Sequence, residues 1–165
     1  MFRARLIASL LIPSAGLFCA CSSSSSPTDT SSAGGPTGEV GCSQASGDTY
    51  TPGMQKLGDA GRYSFSILSS SPAPPAVNNN AFVVQVTDSD DNPVKGDLSV
   101  ALDMPDHGHS SPSPDDIAFD AATGSYTLDP LDLFMVGLWR FTFSFQADSG
   151  SASDADSAVF KFCID

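Results

Sequence analysis

Between residues 63 and 162 the apolar side chains recur at every second position. Tyr63, Phe65 and Ile67 are spaced by Ser64 and Ser66; Phe82, Val84 and Val86 by Val83 and Gln85; Leu98, Val100 and Leu102 by Ser99 and Ala101. Trp139, Phe141, Phe143 and Phe145 alternate with Arg140, Thr142 and Ser144, and Phe160 and Phe162 flank Lys161. A period of two places one set of side chains on the buried face of a strand and the other towards water. Two weaker runs, 117–120 and 125–129, are joined through Ala122-Thr123-Gly124. No segment carries a helical period. Turn residues separate the runs, among them Ser71-Pro72-Ala73-Pro74-Pro75 and Asp88-Ser89-Asp90-Asp91-Asn92-Pro93. The expected architecture is all-β: an immunoglobulin-like antiparallel β-sandwich of about seven strands.

The N-terminal part lies outside this pattern. Arg3 and Arg5 precede an apolar run, residues 6–18, that is too short to anchor the chain across a bilayer. Small residues, Cys21 and a serine run follow. This arrangement resembles a bacterial lipoprotein signal, although Phe18 and Cys19 depart from the usual box before the cysteine. It implies a signal peptide over 1–20, a lipid on Cys21, and membrane attachment through that lipid. Ser22 after the cysteine favours an outer-membrane lipoprotein, in the bacterial cell envelope and facing the periplasm or the cell surface. Residues 21–41 are rich in Ser, Thr, Gly and Pro and read as a disordered tether. The domain then occupies 42–165.

Loss of the leader sharpens the charge. Of seven Lys and Arg, five remain against nineteen Asp and Glu. So acidic a surface repels polyanions, and nucleic acid is excluded as a partner. With Cys19 in the leader and Cys21 lipidated, Cys42 and Cys163 remain and read as one disulfide in an oxidising compartment. No Cys-x-x-Cys spacing suggests a thiolate metal site instead.

The chemistry concentrates in Met104-Pro105-Asp106-His107-Gly108-His109, which holds both histidines of the chain. In extended backbone, residues two apart project to one side, so His107 and His109 are expected to face one point. By parity Met104 continues the inward row of Leu98, Val100 and Leu102 and brings its sulfur to the rim of the sandwich. Thioether plus imidazole is a soft to borderline donor set, suited to copper and best to Cu(I). Asp106 is placed to orient a ligating ring. Met135 becomes the fourth ligand if the corner at 134–137 lies at the same end. The plainer reading is a loop tip with exposed histidines and a methionine at the edge of the core.

Other candidates are weaker. Asp88, Asp90, Asp91 and Asn92 open like a calcium loop but lack the glycine and the glutamate that such a loop needs. Trp139 heads the most aromatic strand and reads as core packing. No Gly-x-Ser-x-Gly elbow is present, and the one glutamate, Glu39, falls in the tether. The chain is therefore not expected to be an enzyme.

Three motifs in order, Met104-Pro105-Asp106-His107-Gly108, Gly124-Ser125-Tyr126 and Met135-Val136-Gly137-Leu138-Trp139, resemble the YtkA-like family, relatives of FixH-like envelope proteins. The resemblance runs from about Tyr63 to Cys163. It implies an immunoglobulin-like sandwich on a lipid or membrane anchor and a link to copper handling. Met104, His107 and Met135 fall on the family's motifs, and His109 on a frequent variant. The serine-rich continuation at 110–114 departs from it and supplies no further ligand. The resulting expectation is a non-catalytic envelope domain that binds copper through Met104, His107, His109 and Met135 and buffers it or passes it to a receiving protein. The alternative is a structural or adhesion-type surface accessory module with no metal, whose histidine loop meets a surface protein partner.

Overall fold

The alternating runs assemble into two antiparallel sheets. The computed structural model describes Cys42 and residues 47–165. The expected signal peptide (1–20), the lipid-bearing Cys21 and the tether (21–41) lie outside the described residues. One sheet has the order β1 (Met54–Leu57), β2 (Ser64–Ser71), β3 (Asn78–Thr87), β7 (Ser125–Leu133), β6 (Ile117–Asp120). The other has the order β5 (His109–Ser111), β4 (Gly96–Met104), β8 (Gly137–Ala147), β9 (Asp156–Ile164). Seven of these nine strands lie on the alternating runs. The other two, β1 and β5, are three or four residues long and carry no apolar alternation of their own.

The inner faces meet in a core of aromatic and branched side chains. Phe82 of one sheet stacks on Phe141 of the other at 5.3 Å, and Phe162 packs edge-on to both. All three are buried, each contributing about 1.5–3 kcal/mol by removal from water. Trp139 is fully buried, as its place in the aromatic run implied.

β7 runs past Pro130 to Leu133, although proline cannot donate to a ladder. The residue falls where it does least harm. The register with β3 shifts between Asn80 and Phe82, skipping Asp129 and Pro130, and pairing with β6 stops at Leu128.

Two side chains tie the connections down. The Tyr126 hydroxyl accepts the Gly96 amide at 2.8 Å and lies 3.2 and 3.1 Å from the Val94 and Gly96 carbonyls, fixing the start of β4 to the opposite sheet. Asp156 is buried at the start of β9. Burial alone would raise its carboxyl pKa, but the amides of Ala60, Arg62, Tyr63 and Ser157 all donate to it and hold it below the ordinary carboxylate range. A lowered folded-state pKa means stability that is present at neutral pH and is lost as the pH falls from the unfolded-state value, about 4, through the folded one. Asp156→Asn is expected to cost about 2 kcal/mol near pH 7 and to flatten the acid limb of the stability curve. Urea midpoints measured between pH 3 and pH 7 check both effects; an unchanged acid limb would contradict them.

The outer edge of β9 is not left open. Asp48 and Lys161 exchange bonds, amide to carbonyl and amide to carboxylate. Lys56 Nζ donates to the Val159 carbonyl at 2.9 Å and pairs with Asp48, and the Asp59 amide reaches the Ser157 carbonyl. The Cys42–Cys163 disulfide fastens the chain beyond this stretch to the same strand. An edge filled in this way does not recruit another strand.

Candidate metal site

The strand directions bring the end of β4, the start of β5, the end of β7 and the start of β8 to one end of the sandwich. Met104 is the last residue of β4 and pairs with His109, the first of β5. Parity along β4 sends Leu98, Val100, Leu102 and Met104 inward, and Met104 is wholly buried. On the outer face one residue earlier, Asp103 receives Arg140 Nε and Nη2 at 2.9 and 2.8 Å, locking this end of β4 to β8.

The histidine loop is a tight turn and not the extended stretch the spacing suggested. The Met104 carbonyl accepts the amides of His107 (3.2 Å) and Gly108 (2.9 Å), and Gly108 has φ +65°. The turn still gathers the two rings. They lie nearly parallel, 8° apart, with centroids 6.2 Å apart; His107 is half-buried and His109 exposed. Two imidazoles holding one tetrahedral ion at about 2.1 Å place their centroids roughly 5–5.5 Å apart. The rings would have to close by about 1 Å to share an ion in that geometry.

Gly137 lies where the buried end of Met104 comes near the loop. Its φ is +129°, and a Cβ there would stand 2.7 Å from Met104 Cε and 3.7 Å from His107 Nε2. A side chain there would crowd both the Met104 methyl and the Nε2 edge of His107, so the glycine lets these two groups border the same spot. Among the described residues neither imidazole makes a hydrogen bond, so their nitrogens are not committed to holding the fold. Imidazole and thioether together make a soft-to-borderline donor set.

The remaining expected residues are placed less simply. The corner carrying Met135 is at this end, as required. Its carbonyl accepts Trp139 Nε1 at 2.9 Å, and its side chain is half-buried against the core. Asp106 is exposed and bonds neither ring, so the orienting role expected of it is not seen. Phe134 was not singled out by the sequence. It is 44% exposed, and its ring packs edge-on to both His109 and Trp139 at 6.2 and 5.2 Å. The acidic turn after β3 is satisfied internally, with Asp88 accepting the amides of Asp90 and Asn92.

The model of the YtkA-like family matches residues 59–144. The chain belongs to the YtkA-like family. No curated protein and no solved structure matches it. The matched span runs from just before β2 into β8 and contains all three motifs. It ends at residue 144, so β9 and Cys163, which the motif reading had included, lie outside it. In this YtkA-like domain the motifs have separate physical duties. The first forms the turn and delivers Met104 and His107, Tyr126 bridges the sheets, Gly137 leaves room for the end of Met104, and Trp139 is buried with its Nε1 on the Met135 carbonyl.

Proposed function

We propose that this YtkA-like protein is an exported, lipid-anchored, non-catalytic domain that binds a copper ion in the cell envelope. It then buffers the ion or hands it to a receiving protein. The observation that carries this reading is that the Met104 methyl and His107 Nε2 both border the spot beside Gly137, with the His109 ring alongside. Met104, His107 and His109 are the first ligands, and Met135 completes the set from the same end. A thioether favours Cu(I) over harder ions, while imidazole tolerates both copper states. The lipid on Cys21 and the tether up to residue 41 would keep the domain at the outer membrane.

Titration of the purified protein with Cu(I) and Cu(II), beside a His107→Ala, His109→Ala variant, tests the reading. Micromolar or tighter binding of one equivalent that the variant loses is expected. Indifference to both ions would leave the second reading, a surface accessory or adhesion-type module without metal. Exposed Phe134 against His109 favours that alternative, because an uncovered aromatic ring is a ready protein contact.

A further inference from the structure

The disulfide has a third donor beside it. Cys42 Sγ, Cys163 Sγ and a carboxylate oxygen of Asp165 all lie within 4.8 Å of one another. Asp165 follows Cys163 by two positions, which in extended chain returns its side chain to the same side. The cysteines are half-buried and Asp165 is exposed, so solvent reaches the group. No short cysteine motif announces this set, because 121 positions separate the two thiols.

Donors around a tetrahedral ion bound at about 2.0–2.3 Å stand roughly 3.3–3.8 Å apart. Once reduced, the two sulfurs, about 2 Å apart in a disulfide, part by roughly 1.5 Å to reach that spacing. We infer that reduction converts this staple into a thiolate clamp for a soft or borderline cation, Zn(II) or Cu(I), with its fourth position open to solvent. The Sγ–Sγ bond takes two electrons from a dithiol, which leaves as its own disulfide. Two protons pass to the cysteine sulfurs and are released when the ion binds the thiolates. The chain is then cross-linked in both redox states, by sulfur–sulfur when oxidised and by sulfur–metal–sulfur when reduced. The clamp uses none of the imidazole-site ligands, although Cys163 pairs with Leu138, the neighbour of Gly137.

The test uses protein carrying Cys19→Ser, Cys21→Ser, His107→Ala and His109→Ala, so that neither the N-terminal thiols nor the imidazoles compete. Co(II) is added before and after reduction by a dithiol that is then removed without air. One equivalent should produce thiolate-to-cobalt charge-transfer absorption in the reduced protein only. Zn(II) should displace the cobalt and raise the melting temperature of the reduced protein. Asp165→Asn should weaken cobalt binding on the order of tenfold or more, and Cys42→Ser should abolish the absorption. No absorption after reduction, or binding indifferent to Asp165→Asn, would overturn the clamp. Because the imidazoles are absent throughout, neither result depends on the copper reading.

Discussion

Gly137→Ala is expected to lower the melting temperature by on the order of 10 °C and to remove copper binding together with it. Two penalties combine at this position. A side chain at φ +129° is strained by about 1–3 kcal/mol. Its Cβ would also stand 2.7 Å from Met104 Cε, in a packed region where overfilling costs about 1–3 kcal/mol. For a domain of this size each kcal/mol moves the midpoint by roughly 3–5 °C. Gly108→Ala is the matched control. Its φ is +65°, but nothing lies within 4 Å of the new atom, so only the backbone strain, about 1–2 kcal/mol, is felt. Differential scanning calorimetry of the two variants should therefore separate them clearly. Equal effects would mean that the region beside Gly137 is not closely packed, and copper binding retained in Gly137→Ala would place the ion elsewhere.

The second large effect is expected from Cys42→Ser with Cys163→Ser. The bond joins positions 121 residues apart, and a loop of that length gives roughly 4–5 kcal/mol in the chain-entropy model. Part of the loss should be local. Without the staple, the stretch that donates Asp48 to the edge of β9 loses its covalent anchor and keeps its hydrogen bonds, the ion pair with Lys56 and the packing of Tyr50 on Phe162. The Lys161 amide, which donates to Asp48, should then exchange faster than amides inside β8. Urea unfolding with hydrogen exchange reads both quantities. A variant as stable as the parent, with Lys161 still protected, would show that the edge is sealed without the bond.

The alternation of Phe82, Val84 and Val86, and of Trp139 through Phe145, was legible because each strand has one face in the core and one in water. The same parity placed Met104 inside correctly, since β4 stays regular up to its last residue. The two short strands were not legible. His109-Ser110-Ser111 is a strand only because it folds back on residues 102–104, and nothing in its own side chains requires it. The extension of β7 through Pro130 was hidden for a related reason, because a bulge and an absent neighbour remove the need for the missing amide. At the site, the residue types were readable and their meeting was not. The turn at 105–108 replaces the extended geometry that spacing implied, and the approach of Met104 and His107 to one spot depends on what is missing at Gly137. That glycine comes from β8, and only the pairing of β4 with β8 brings it there. Phe134 gave no signal in one dimension, since its partners His109 and Trp139 lie on two different strands.

The central claim is that a buried thioether and the loop imidazoles bind one ion. Copper-edge X-ray absorption of the Cu(I)-loaded protein tests it most directly, with Met104→Leu as the comparison because leucine keeps the volume and removes the sulfur. Sulfur and imidazole scatterers around copper are expected in the parent protein, with the sulfur contribution reduced in Met104→Leu. A copper shell of nitrogen and oxygen alone, or one that Met104→Leu leaves unchanged, would contradict it.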